Sequence, residues 1–125
     1  MPLNTLVQFL PLVVLLIFCP LVIFSMLAFD RLVRIEHNEF PEAWAADGKP
    51  YPSWRRGPDM RITPRSWFAT IRGMFVWLFV TPLWARGHSE ASYYLRRMRI
   101  FVALWNFVAM PLFILSALIA IAFGG

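Results

Sequence analysis

Two long runs of apolar residues lie near the two ends of the chain, and a mixed stretch separates them. The runs Leu6 to Phe29 and Ile100 to Phe123 contain no charged residue. A helix needs about 20 predominantly apolar residues to cross a bilayer, so each run predicts a transmembrane helix. The runs contain Pro11, Pro20 and Pro111, which membrane helices tolerate where neighbouring groups satisfy the freed carbonyls.

A third apolar stretch predicts an amphipathic helix over residues 63–81. Thr63 can cap its start, Pro64 suits the first helical position, and Pro82 ends it. Large apolar residues then recur three and four positions apart, as on one face of a helix: Trp67, Phe68, Ile71, Met74, Phe75, Leu78 and Phe79. The opposite face is polar only in its first half, so this helix is expected to dip into a membrane or to dock on protein.

Residues 66–85 could instead form a third span. Arg72 does not decide the question, because a central arginine costs only about 2.5 to 3.5 kcal/mol on insertion scales. The tryptophans Trp67, Trp77 and Trp84 are spread along the whole stretch, which suits a helix in the interface better than an upright one. These features favour an in-plane or re-entrant helix, with a third span as the alternative.

The charges orient the predicted helices. All 12 lysine and arginine residues lie between the two apolar runs. By the positive-inside rule that loop faces the cytoplasm, whereas a third span would divide the basic residues between the two sides. We therefore predict an all-α membrane protein, a two-span transmembrane helical hairpin with an amphipathic, membrane-surface or re-entrant helix in the cytoplasmic loop. Both termini are expected in the periplasm or lumen.

The predicted organisation is a single membrane domain over residues 1–125. It comprises a transmembrane helix (6–29), a cytoplasmic loop (30–62), an interfacial amphipathic helix (63–81), and a helix that enters and forms the second span (89–123). Within the loop, the first helix is expected to run on until Pro41, followed by a short helical turn that closes at Gly48. An extended linker with Arg55 and Arg56 follows.

Composition agrees with a membrane protein and narrows the chemistry. The chain is 59% hydrophobic and 15% charged, far from the averages of soluble domains. Its single cysteine, Cys19, excludes an internal disulfide framework and a cysteine-rich zinc site.

No constellation of catalytic residues can be identified. Acidic and histidine residues could be drawn as a metal site, but their spacing matches no ligand signature: Glu36, His37, Glu39, Glu42, His88 and Glu90. Solvated or salt-bridged charges on a cytoplasmic helix are the simpler interpretation. There is no phosphate-binding loop or nucleophile motif, so we predict no enzyme activity, no catalytic or metal-binding residue and no cofactor.

The predicted partners are protein and lipid. The isoelectric point near 10.4 raises nucleic acid as a partner, but arginines next to a membrane more often meet anionic headgroups. We expect a larger integral membrane complex and anionic phospholipid as partners, and no nucleic acid. The residues expected to contact them are Trp67, Phe68, Phe75, Trp77, Phe79, Trp84, Arg96, Arg97, Arg99 and Asn106.

The layout resembles a family of small bacterial inner-membrane proteins. A helix at each end, the segment RIEHNEFPEAWAADGKP after the first and the segment SYYLRRMRIF before the second are similar to proteins of the universal stress protein B type. The resemblance implies a multi-pass protein of the bacterial inner membrane, a link to stress tolerance and no known reaction. The expected function is that of a non-catalytic accessory or scaffolding subunit of a larger inner-membrane complex. The alternative is a stand-alone membrane-surface regulator that binds anionic lipid through its arginine-rich loop.

Overall fold

A computed structural model describes residues 2–52 and 60–124. Over these two ranges the chain is helical, with turns between the helices and no strand, which confirms the all-helical prediction. The linker residues Arg55 and Arg56 lie outside the described residues. The α-helices are α1 (Leu3–Gln8), α2 (Leu10–Glu39), α3 (Pro41–Ala46), α4 (Pro64–Phe79), α5 (Ser89–Leu104) and α6 (Met110–Phe123). A short 3₁₀ helix spans Leu83–Ala85, and a π-helix spans Trp105–Ala109.

Two helical stretches in the described part of the chain are long and apolar enough to cross a membrane. They cover Leu3–Glu39 and Ser89–Phe123, and only 11% of the most apolar window in each is buried. The core helix of a soluble protein would be mostly buried instead. The prediction of two helices able to span a membrane is therefore confirmed. The charge-free part of the first stretch ends at Phe29, so its residues from Asp30 onwards lie outside the apolar segment.

Prolines and one wide turn interrupt the regularity of these helices. A break between α1 and α2 comes just before Pro11, whereas Pro20 lies inside α2 without ending it. In the second stretch, the π-helix Trp105–Ala109 comes just before Pro111. A π turn bonds residue i to residue i+5, which takes one more residue per turn than an α-helix. The wide turn thus stands where proline removes one N–H from the helical ladder.

The chain divides into two compact units, Met1–Phe24 with Ile100–Gly125, and Ser25–Arg99. We call the first the terminal unit. In it, α1 packs against α6, with the Gln8 side chain donating a hydrogen bond to the Gly124 carbonyl. Nearer the other end of the unit, the rings of Phe24 and Phe101 lie 5.6 Å apart. Among the described residues of this unit, the buried ones are Ala109, Ser116 and Gly124. All three are small, as is typical of close helix packing within membranes.

The second unit, which we call the loop unit, has a core of its own around the last part of α2. Phe29, Leu32 and Val33 on that helix are almost completely buried. The other helices contribute small or apolar residues to the core: Trp44, Ala69, Trp77, Ala85, Ala91, Leu95 and Met98. The polar continuation of the first apolar helix is thus the element around which the loop unit is built.

The turn after α3 is fixed by glycine and by the Trp44 indole. Gly48 has a φ of 93°, and a Cβ added there would lie 2.9 Å from the Cβ of Ala69. A residue with a side chain would therefore be strained in its backbone and would collide with α4. Trp44 donates its indole N–H to the carbonyl of Pro50 at 2.8 Å. Next along the chain, the Tyr51 backbone N–H donates to the hydroxyl of Thr70 on α4 at 3.0 Å.

Helix α4 begins with a reciprocal cap. The Thr63 hydroxyl accepts from the backbone N–H of Ser66 at 3.1 Å, and the Ser66 hydroxyl accepts from the backbone N–H of Thr63 at 2.7 Å. Two backbone donors that the first turn leaves without helical partners are thereby satisfied. Pro64 occupies the first helical position, where it has no N–H to satisfy. The start of α4 is therefore well defined before any tertiary contact is considered.

Candidate functional site

Helix α4 turns its small residues towards the protein and its large aromatic residues away from it. The buried side is Ser66, Ala69, Thr70, Gly73 and Trp77. At about 100° per residue, the opposite side contains the exposed residues Trp67, Phe68, Phe75 and Phe79, which we call the outer face. A helix that faces water normally has the reverse arrangement.

The outer face is a large apolar surface with basic residues beside it. Phe79 is 84% exposed, and Ile62 and Leu83 extend the apolar surface beyond the two ends of α4. Arg65 and Arg72 are exposed at its edge. Contiguous apolar surface of this kind marks a site of contact with a membrane or another protein.

Two of the predicted contact residues lie inside the loop unit instead. Trp77 is only 5% exposed, and its ring lies 5.4 Å from that of Phe29 and 5.7 Å from that of Trp84. Trp84 is half-buried, with its indole nitrogen out of contact with solvent. As a correction to the predicted contact surface, the side chain of Trp77 fills the core of this chain. There it packs α4 against Phe29 of α2.

The predicted arginine contacts also divide between surface and interior. Arg96 and Arg97 are exposed on α5, where the Arg97 guanidinium lies over the Tyr93 ring at 5.2 Å. Arg99 is half-buried and donates to the carbonyl of Trp77 at 3.0 Å and to the hydroxyl of Thr81 at 3.2 Å. A cation there interacts favourably with the carbonyl end of α4.

Asn106 is exposed on the second apolar helix. Its side-chain amide donates to the carbonyl of Val102 at 2.9 Å, one turn earlier in the same helix. Its side-chain donor is thus partly satisfied within its own helix.

A row of aromatic rings runs through the loop unit. The centroids follow one another from Phe29 to Trp77 (5.4 Å), Trp84 (5.7 Å), Phe40 (5.4 Å) and His88 (5.8 Å). These spacings fall within the usual range for tilted and edge-to-face ring pairs. The row begins at Phe29 on α2 and ends at His88, directly before α5. Between them it passes through α4, the 3₁₀ helix and Phe40, which directly follows α2.

A carboxyl group is buried beside this row. Glu36 is 0% exposed, and neither of its carboxyl oxygens has a hydrogen-bond partner among the described residues. The indole N–H of Trp84 is buried and also has none. Burial raises the pKa of Glu36 to about 9, the carboxyl of Asp47 raises it as a second cause, and Trp84 acts in the opposite direction. Glu36 is therefore a neutral carboxylic acid at pH 7.

This burial corrects the expectation that the acidic residues of α2 are solvated or salt-bridged. For Glu36 that interpretation is wrong, because its side chain lies in the core. The sequence contained a usable signal: Glu36 follows Phe29 by seven residues, Leu32 by four and Val33 by three. These spacings place it on the apolar face of the helix.

The residues drawn as a possible metal site do not all come together. His88 Nε2 lies 3.2 Å from both carboxylate oxygens of Glu39. Its Nδ1 accepts from the backbone N–H of Ala91 at 3.1 Å, so in the neutral ring the proton is on Nε2. Glu90 instead faces Arg31 at 3.9 Å. Across residues 2–52 and 60–124, no group of three or more such side chains could hold a metal ion.

Comparison of the chain with protein-family models, with curated proteins and with solved structures finds no match. The resemblance to the universal stress protein B type therefore stays a prediction.

Proposed function

We propose that this chain is a two-span protein of the bacterial inner membrane that acts as a non-catalytic accessory or scaffolding subunit of a larger membrane complex. In this proposal the outer face of α4 is the surface that the complex covers. In the proposed topology the termini lie on the periplasmic side and residues 30–99 on the cytoplasmic side.

The observation that carries the proposal is the orientation of α4. Four large aromatic side chains point away from the chain, while small residues such as Ala69 and Gly73 pack against it. Burying an aromatic side chain removes about 150 to 250 Å² from water, so leaving four exposed to water is unfavourable. A surface rich in aromatic residues is also typical of the buried centre of an interface.

The terminal unit supports the two-span arrangement. Gln8 bonds to Gly124 and Phe24 contacts Phe101, so the start of one apolar segment is paired with the end of the other. Such pairing fits two antiparallel spans with both termini on one side. The confinement of the basic residues to the intervening loop then favours the cytoplasm for that loop.

A second candidate is a stand-alone regulator at the membrane surface that binds anionic phospholipid. The specific observation in its favour is the exposure of Arg65 and Arg72 beside the outer face. Aromatic side chains at the headgroup level with arginines beside them are typical of interfacial helices. In this case lipid covers the outer face and no protein partner is required.

The test compares two charge-introducing variants after purification in a mild detergent, with bound subunits identified by mass spectrometry. Phe79→Arg replaces a residue of the outer face. The matched control, Tyr93→Arg, replaces an exposed aromatic residue on α5. Loss of a central anchor costs about 2 kcal/mol or more, roughly a thirtyfold loss of affinity. We expect Phe79→Arg to release the partner subunit and Tyr93→Arg to retain it.

The lipid alternative is distinguished in nanodiscs. Quenching of Trp67 fluorescence by brominated lipids, with a Trp67→Phe variant to isolate its signal, reports lipid at the outer face. Two results together would refute the scaffolding role and favour lipid binding. The fluorescence of Trp67 would remain strongly quenched in the purified assembly, and Phe79→Arg would retain the partner subunit.

A further inference from the structure

We propose that Glu36, Asp47 and Trp84 form a proton-binding site, in which one bound proton keeps the 3₁₀ helix Leu83–Ala85 closed over the buried carboxyl. This inference concerns the interior of the loop unit and does not depend on what covers the outer face of α4.

The site is defined by polar atoms that the fold buries without partners. Both oxygens of Glu36 and the indole N–H of Trp84 are buried and lack hydrogen bonds to any described residue. Buried polar groups normally have partners, and each exception calls for an explanation. Here two acceptors and one donor are left over in the same part of the core.

Among the residues that the structure describes, no charged neighbour supplies Glu36 with a counter-ion. Asp47, at the end of α3, is the charged residue that acts on its carboxyl, and its charge has the same sign. The buried side chains of α4 and α5 are non-ionisable, and the Arg99 guanidinium is bonded to Trp77 and Thr81. Asp30, the other buried carboxyl of α2, lies six positions earlier and has an interaction of its own.

A proton is the ligand that fits this environment. An ionised carboxylate without a partner is very costly in a low-dielectric interior, so the group takes up a proton instead. The neutral carboxyl has an O–H that can donate to the Asp47 carboxylate, and its carbonyl oxygen can accept from the Trp84 indole. Asp47 is exposed, so it also gives the proton a route from solvent.

Loss of the proton should open the site at its weakest boundary. Ionised Glu36 would face Asp47 at the same charge, and it can regain water only if a covering element moves. The 3₁₀ helix that contains Trp84 is only three residues long, and it lies between Pro82 and Gly87, which has a φ of 77°. The pKa of about 9 places this opening on the alkaline side of neutrality.

Infrared spectroscopy of the full chain in nanodiscs, recorded between pH 6 and 11, tests proton binding directly. We expect a carbonyl stretch of a protonated carboxylic acid at pH 7 that disappears in the alkaline range. The band should be absent in Glu36→Gln and present in Glu42→Gln, a control that removes an exposed carboxyl from α3. In Asp47→Asn the band should disappear at a lower pH, because that variant removes the neighbouring negative charge.

Hydrogen exchange over residues 80–88 tests the opening. At the pH where the band disappears, exchange should become about tenfold or more faster in the wild-type chain than in Glu36→Gln measured at the same pH, a step beyond the rise that pH alone causes in both. Absence of a Glu36-dependent band at pH 7 would overturn the proton site. An equal exchange step in wild type and Glu36→Gln would overturn its coupling to the 3₁₀ helix, and an unchanged midpoint in Asp47→Asn would exclude the part given to Asp47.

Discussion

Replacement of Glu36 by glutamine should stabilise the loop unit at neutral pH. The substitution keeps the shape and polarity of the side chain but removes the proton equilibrium. In the unfolded chain Glu36 titrates at its ordinary pKa of 4.5, whereas in the folded chain its pKa is about 9. At pH 7 the wild-type chain must therefore take up a proton when it folds, and the glutamine variant does not.

The magnitude follows from the distance between pH 7 and the unfolded pKa. Between the unfolded and the folded pKa, the folded chain holds a proton that the unfolded chain has released. Over that range the free energy of unfolding falls by about 1.4 kcal/mol for each pH unit. From 4.5 to 7 this amounts to about 3 kcal/mol of unfolding free energy. Below pH 4.5 both states are protonated and the cost vanishes, while above pH 9 both are ionised and the cost no longer grows.

The assay is reversible unfolding in detergent, followed by tryptophan fluorescence at several values between pH 5 and 9. The stability of the wild-type chain should fall with rising pH relative to that of Glu36→Gln, and the two curves should converge towards acid pH. Glu42→Gln, which changes an exposed carboxyl, should follow the wild type. Any constant difference between the amide and the neutral acid shifts a whole curve without changing its slope. Parallel curves for wild type and Glu36→Gln would refute a neutral, buried Glu36.

Two other predictions concern α4 and the topology. Trp77→Ala should lower the unfolding free energy by about 3 to 5 kcal/mol because it empties a core position. Phe79→Ala should change it by less than about 0.5 kcal/mol. Equal losses in thermal or chemical unfolding would contradict the orientation given to α4. In a Cys19→Ser background, a membrane-impermeant thiol reagent should label Thr5→Cys but not Ala46→Cys in intact spheroplasts, and labelling of Ala46→Cys from outside would reverse the proposed topology.

The all-helical fold and the two apolar helices could be predicted from the sequence because each depends on a local pattern. Within a bilayer, the α-helix is the regular structure that satisfies all its backbone hydrogen bonds inside one segment. A charge-free run long enough to span a bilayer therefore predicts a helix. This signal does not require knowledge of any tertiary contact. The break before Pro11 and the π turn before Pro111 involve adjustments of a single residue, which hydropathy does not resolve.

The orientation of α4 shows where local pattern stops being sufficient. Periodicity places Phe68, Phe75 and Phe79 on one stripe, but an apolar stripe can face a core, a membrane or a partner. The deciding feature lies on the other side, where buried Gly73 packs against the ring of Phe29, 3.5 Å from the position that a Cβ would occupy. Trp77 belongs to that side, and counting it with the other aromatic residues concealed its place in the core.

Glu36 could be placed on the apolar face of α2 from spacing alone, but its isolation could not. Whether a buried carboxyl finds a counter-ion depends on residues distant in sequence, here Asp47 and Trp84. The aromatic row likewise joins residues from Phe29 to His88, which no short window of sequence brings together.

The π turn at Trp105–Ala109 makes the second apolar helix tolerant of a change in length. Because this turn holds one residue more than an α-helical turn would, deletion of a single residue within it can be absorbed by tightening to regular α-helix. The side chains of Met110–Phe123 would then keep their directions. The same deletion inside α4 would rotate everything after it by about 100°, exchanging part of the outer face with the side that packs on the protein. Natural variants that lose one residue are therefore expected at the wide turn and not in α4.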